Sequence, residues 1–229
     1  MDKLRLKNLK GNKLNKIMAK DIILIGAGGH SAELTEYINA QNEVVGRIQI
    51  VIVGYIDDDS STYEHYGFVA PFIGAITAHK VREDVYYLMG IANLKFRRQI
   101  TERFELSGAK FTGFIHPTAI IAKSAHIDPT VVISHNVSIG PKVTIEAHNM
   151  LNSRCTIGHD SYLGKFNFIS PQVAIAGNTR IGEGNLLGTN AATIPGKTIG
   201  DNSLIGAGAV VIFNVPSNVT VVGNKARIL

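Results

Sequence analysis

From Ile115 onward an aliphatic side chain recurs at every sixth residue as far as Val211, in one frame and without insertion. Sixteen of the seventeen positions are Ile, Leu or Val, and Thr193 is the exception. The residue four places later is usually small, as at Ala119, Ala125, Val137, Cys155 and Ser161. An amphipathic helix repeats near 3.6 residues and a half-buried strand near 2, so a period of six belongs to neither. It predicts a left-handed parallel β-helix, each hexad giving one short strand and a turn, with three hexads closing a triangular coil. The aliphatic position points inward, and Gly, Asn and Asp take the turns because they tolerate the backbone geometry there. Residues eighteen apart then stack on neighbouring strands, about 4.8 Å from one another. Flat-faced solenoids of this kind associate, and a closed homotrimer is the expected solution.

Upstream the pattern changes. The run IILI within DIILIGAGGHSAELTEYINAQ reads as a buried parallel strand, followed by a glycine turn and a helix that starts near His30 or Ser31. Ala32, Leu34 and Ile38 supply that helix with an apolar face. IVIVGYI (50–56) is a second strand ending at Asp57-Asp58-Asp59, and YYLMGIA (86–92) a third, leading into a helix with Arg97, Arg98 and Arg103. Alternating strands and helices predict a small Rossmann-like α/β domain over 18–112, with the all-β solenoid over 113–229.

Composition places the chain among globular proteins: 45% hydrophobic, 18% charged, with 23 glycines. The single cysteine, Cys155, excludes an internal disulfide framework and fits a reducing, cytoplasmic setting. The net charge of +5 does not signal nucleic acid, because residues 1–17 hold six Lys/Arg and one acid while the remainder holds seventeen of each sign. That leader reads as a disordered extension, with Met18 a second plausible start. It lacks the apolar length of a signal peptide or membrane span, so no membrane insertion is expected.

The stacking rule sets Gly177 one rung from His159, with Pro195 a further rung along the same edge. A histidine beside an exposed backbone N–H is what acyl transfer requires: the base takes a proton from the attacking group, and the donor holds the oxyanion. Asp160 could orient the imidazole, or simply form the turn. Cys155 occupies a small-residue position of the hexad and reads as packing. Scattered histidines do not make a metal site, and none is expected.

Taken together, IGAGGHS, GYIDDD, GIANLKFRRQI, FIHPTA, CTIGHDSYLG, AIAGNTRIG, LLGTNAATIPG and VVGNKAR resemble, in content and order, the bacterial sugar acyltransferases of the PglD/NeuD type. The resemblance covers the chain from Met18. It implies that His159 is the general base, Asp160 its acidic neighbour, and Gly177 the donor to the acetyl carbonyl. It implies acetyl-CoA in a groove between adjacent solenoids, near Gly177, Thr189, Ala207 and Lys225 of the terminal loop. It further implies that Gly28, Gly29 and His30 meet the phosphates of a nucleotide-linked amino sugar, with Asp57 and Asp58 near base and ribose and Asn152 near the acceptor sugar. Phe168 stands where some members carry a second histidine, and Lys225 where a proline is common.

Other functions remain to be weighed. GAGGHS followed by Asp57 resembles a dinucleotide fingerprint, but the third glycine is missing and the domain is short for both halves of such a fold. A glycine turn and helix N-terminus serve a nucleotide sugar by the same physics. O-acetylation of sialic acid or another sugar is the alternative chemistry, and a non-enzymatic trimeric scaffold the alternative class. The stacked His159 and Gly177 and the nucleotide-type domain, neither needed for scaffolding, favour an enzyme, and the intact N-terminal nucleotide-site motifs favour N-acetylation of an amino sugar for surface-glycan biosynthesis.

Overall fold

The computed structural model describes residues 19–45 and 49–223. The leader 1–17, Met18 and Lys225 lie outside the described residues. The N-terminal unit runs β1 (Lys20–Ile25), α1 (Gly29–Val45), β2 (Ile50–Ile56), α2 (Ser61–Tyr66), β3 (Phe72–Gly74), β4 (Tyr86–Met89), α3 (Leu94–Leu106) and β5 (Lys110–Phe111). Its strands pair in parallel in the order β3-β2-β1-β4-β5. Ile22, Ile23, Leu24 and Ile25 are all buried, because both faces of β1 are covered. That is why this strand reads as an unbroken apolar run rather than an alternation. The sequence does not announce α2, β3 or β5. α2 buries none of its residues, so it carries no apolar stripe to detect, and β5 has only two residues.

From Phe114 to Val221 the chain forms eighteen two-residue strands in a left-handed parallel β-helix. Through Val211 the second residue of each is the inward residue of the hexad, aliphatic in every strand but the one that ends in Thr193. Partners lie eighteen apart: Ile139 pairs with Ile157, Leu151 with Ile169 and Leu163 with Ile181. After Val211 the coil shortens by two residues, so that Ile199 meets Val215 and Ile205 meets Val221. This shortening ends the six-residue frame. Turns are made by residues with positive φ three places after the aliphatic position, among them Asn136, Asp160, Asn178 and Asn190.

Side chains alternate across a strand, so the residue before each aliphatic one points outward. On one face these are Phe114, Val132, Met150 and Phe168, which join Leu34, Ile38 and Tyr55 of the N-terminal unit in one apolar cluster. This is the docking face. On the next face the middle four are small, Ser138, Thr156, Ala174 and Ala192, with Ile120 and Val210 at the two ends. Helix α3 braces a third region of the solenoid. Arg97 is 2% exposed and donates to the His148 carbonyl at 2.9 Å, and Glu105 meets His148 Nε2 at 2.9 Å. Burial lowers the Arg97 pKa to about 10.

Candidate active site

Each coil turns at three edges. The residue two places after the aliphatic one presents its N–H outward, away from the strand ladder. Pro117, Pro129, Pro141, Pro171 and Pro195 all occupy this position, since a residue without an N–H loses nothing there. Gly177 holds the same position, and its N–H donates to no acceptor among the described residues. The donor is free to meet a ligand.

His159 stands one coil away on the same edge, as the eighteen-residue spacing requires. Asn178 N–H donates to the His159 carbonyl at 2.8 Å, which locks the two coils in register. The imidazole covers Gly177 so closely that a Cβ there would lie 2.7 Å from Nε2. Nδ1 lies 2.8 Å from Asp160 Oδ2, and the two side chains are 60% and 44% exposed, open to an incoming substrate. Asp160 has φ of 58°, so it forms the turn as well as facing the imidazole. With Nδ1–H donating to the carboxylate, the lone pair falls on Nε2, the nitrogen over Gly177. The arrangement can accept a proton and stabilise a nearby oxyanion. It offers no nucleophile: Cys155 is buried, and burial pushes its thiol up to about 12.

A second feature lies between the two domains. A cleft of about 1070 Å³ is lined by Gly29, His30, Glu33 and Tyr66 on one side and by Asn152 and Phe168 on the other. Helix α1 opens into it. Its first turn ends in the N–H groups of Gly28, Gly29, His30 and Ser31, which have no acceptor among the described residues. Such a terminus attracts anions. At Gly28 a Cβ would meet nothing, whereas at Gly29 it would lie 2.9 Å from the Tyr66 hydroxyl. His30 Nδ1 lies 3.6 Å from Glu33, and its buried Nε2 has no partner among the described residues. The neighbouring His30 imidazole holds the Glu33 carboxyl below its usual range. Asn152 donates to the Ile169 carbonyl at 3.0 Å.

Asp57 and Asp58 are engaged within the protein. Asp57 accepts from Ala27 N–H at 2.7 Å and Asp59 N–H at 3.1 Å, and Asp58 accepts from the Thr77 N–H and hydroxyl, both at 2.9 Å. They tie the loops at the carboxyl ends of the strands, and neither lines the cleft. Thr189 and Ala207 are exposed and stacked beside Pro171, with Gly208 N–H donating to the Thr189 carbonyl at 2.8 Å. They share an edge with the cleft side of the docking face, not with Gly177. Six residues of chain separate the two edges, at most about 20 Å. Within one chain, then, His30, Asn152 and Phe168 come together, as do His159, Asp160 and Gly177, but the two groups do not.

Nothing in the sequence marked Tyr66 as a cleft wall, and Phe168, noted above only as standing where some members carry a second histidine, lines the cleft as well. One signal for the second was present: Phe114, Val132, Met150 and Phe168 recur at eighteen-residue spacing, one place before the aliphatic series.

Residues 21–104 match the family model described as the PglD N-terminal domain. UDP-N-acetylbacillosamine N-acetyltransferase of Bacillus subtilis (strain 168) is 32% identical over 110 residues, covering 47% of this chain and 48% of that protein. The match thus spans about half the length of this curated relative. The acetyltransferase domain of PglB from Neisseria gonorrhoeae FA1090, solved in complex with acetyl coenzyme A, is 31% identical. The similarity covers 93% of this chain and 100% of that one, with a TM-score of 0.76. PerB from Caulobacter crescentus, solved with CoA and GDP-perosamine, is 25% identical over 90% of this chain and 95% of that one, with a TM-score of 0.76.

Proposed function

The chain belongs to the PglD family of hexapeptide-repeat sugar acyltransferases, and from that premise we propose that it moves the acetyl group of acetyl-CoA onto the amino group of a nucleotide-linked amino sugar. The observation that carries this reading is the His159 imidazole, held by Asp160 and stacked over the unpaired N–H of Gly177. His159 Nε2 removes the proton as the sugar amine attacks the thioester carbon. Gly177 N–H donates to the carbonyl oxygen as it becomes an oxyanion. Asp160 keeps the proton on Nδ1 and steadies the imidazolium. Collapse breaks the carbon–sulfur bond, and His159 returns its proton to the departing thiolate. No acyl-enzyme forms, because the buried Cys155 is no nucleophile.

The sugar nucleotide belongs in the interdomain cleft, with its phosphates at the start of α1 beside Gly28, Gly29 and His30, and its amino sugar toward Asn152. Asp57 and Asp58 act there by shaping the loop around the phosphates. Acetyl-CoA lies along the solenoid near Gly177, with Thr189 and Ala207 contributed by the next chain. The separation of the two edges within one chain supports a head-to-tail ring, in which the His159 edge of one copy faces the cleft edge of its neighbour. A closed threefold ring is the simplest such assembly.

The test is a thiol-release screen of acetyl-CoA with UDP-, GDP- and dTDP-linked 4-amino sugars, GDP-perosamine among them, and with sialic acid. Release with an amino-sugar nucleotide that is lost in His159→Ala is expected. Release with sialic acid alone would move the chemistry to O-acetylation, and an inactive panel would overturn the enzymatic reading.

A further inference from the structure

Thr193, the one polar residue in the aliphatic frame, sits where every other coil has a hydrocarbon. On this face Gly140 N–H donates to the Ile157 carbonyl at 2.8 Å, Gly158 to Ile175 at 2.7 Å, and Ile194 to Val211 at 3.1 Å. At Ala176 that pattern is broken. Its N–H donates instead to the Thr193 hydroxyl, at 3.0 Å, and the strands beside it share only the Ala174–Ala192 pair.

The hydroxyl is part of a closed circle. Thr193 Oγ1 lies 3.2 Å from Thr179 Oγ1, and Thr179 Oγ1 donates to the Ala176 carbonyl at 2.7 Å. A hydroxyl has one proton to give, so the direction is fixed: Ala176 N–H to Thr193, Thr193 to Thr179, Thr179 to the Ala176 carbonyl. Ser161 Oγ donates to the same carbonyl at 3.2 Å. Ser161 and Thr179 are fully buried and Thr193 is nearly so.

That carbonyl and the Gly177 N–H belong to one peptide group. In a trans peptide the two point in opposite directions. Two hydroxyls gripping the oxygen from inside the prism therefore fix the outward aim of the N–H, and polarise it as a donor. Building on the role given above to Gly177, we infer that Thr193, Thr179 and Ser161 are positioning residues that aim the Gly177 amide at the developing oxyanion. None of them touches the reacting atoms. Other coils satisfy the equivalent carbonyls with buried asparagines, as Asn149 and Asn167 do for Gly164 at 2.6 and 2.8 Å. Satisfying a carbonyl thus needs no residue in the aliphatic frame. What is peculiar to this coil is the break in the ladder at Ala176.

Thr193→Val restores the aliphatic frame at equal volume and removes only the hydroxyl, and Thr193→Ser retains it. The assay is thiol release from acetyl-CoA with the amino-sugar nucleotide turned over fastest in the screen, alongside thermal melting and His159→Ala as control. The valine variant should lose roughly 10- to 100-fold in kcat, the scale of a misaimed group. KM for both substrates and the acid limb of the pH–rate profile should stay as in the wild type, the orphaned Ala176 N–H lowering the melting temperature without unfolding the variant at the assay temperature, and the serine variant should keep most of its activity. Wild-type kcat in Thr193→Val while His159→Ala is dead would overturn the positioning role alone. So would a kcat loss that vanishes when the assay is cooled further below the variant's melting temperature. Full activity in His159→Ala, or no release with any acceptor, would overturn the reading beneath it as well.

Discussion

The imidazole of His159 lies over the α-carbon of Gly177, with Nε2 2.7 Å from where a Cβ would be built. The glycine is required here for space, since its φ is not in the left-handed region. Gly177→Ala must therefore displace the ring, which is the mobile partner, and with it the Nδ1 contact to Asp160. Turnover should fall by about 100-fold, the scale of a group misplaced by an ångström. The melting temperature should hardly move. A variant with wild-type kcat would show that the stacking has no part in the chemistry.

Asp160 serves two functions that substitution can separate. Its φ of 58° is one that Asn and Gly also adopt readily. Asp160→Asn keeps the turn but loses the carboxylate that holds the Nδ1 proton. We expect kcat to drop by at least about 10-fold, since a misassigned tautomer disables a histidine base, with unfolding midpoint unchanged. If Asp160→Asn and Asp160→Gly both turn over normally, the residue is a turn former and nothing more.

The solenoid was legible because each inward position reports on the same local geometry seventeen times, independently of what packs outside. The His159–Gly177 stack followed from that register alone. The cleft was not legible, because it depends on how α1 lies against Phe114, Val132, Met150 and Phe168 across residues far apart in the chain. The resemblance placed Asp57 and Asp58 near base and ribose, but only coordinates reveal that they hold Ala27 and Thr77. Thr193 stood out as the exception in the frame. Its reason, a bond to Ala176 across the coil, is tertiary.

Inside the prism, Asn149, Asn167 and Asn185 form a ladder with no exposed surface. Asn167 donates to the Gly164 and Gly182 carbonyls and accepts from the Asn185 N–H, each at 2.8 Å, and accepts from Asn185 Nδ2 at 3.0 Å. Asn167→Ala would leave the Gly182 carbonyl and both Asn185 donors unpaired, while Gly164 keeps Asn149, and would open a void. Each orphaned group costs about 1–3 kcal/mol, so chemical denaturation should show a loss of at least about 3 kcal/mol. A loss below about 1 kcal/mol would mean that water replaces the amide.

Stability should fall as pH drops from 7 toward 5. Burial lowers the pKa of His148, outweighing the opposite pull of Glu105. It lowers those of His79 and His116 as well. A histidine whose folded pKa lies below its unfolded value of about 6.5 takes up a proton on unfolding. The stability it contributes is complete above 6.5 and is lost as pH falls through that value toward the folded pKa. Melting temperatures measured across this window should slope accordingly, and His148→Gln should flatten the slope. A slope of opposite sign, or one that the variant leaves intact, would reassign the acid response.

If the site is shared between copies, two inactive variants should rescue one another. His159→Ala retains an intact cleft, and the double variant His30→Ala/Asn152→Ala retains an intact His159 edge. Unfolded together and refolded, or coexpressed, they form mixed rings. A junction works when the His159 edge comes from the double variant and the cleft from His159→Ala. Random assembly into a head-to-tail ring supplies that pairing at about one junction in four. Activity should therefore return to roughly one quarter of the wild type, and it should disappear again when the two are purified apart. If both groups acted within a single chain, no mixed ring could contain a complete site, and the mixture would stay as inactive as its parts.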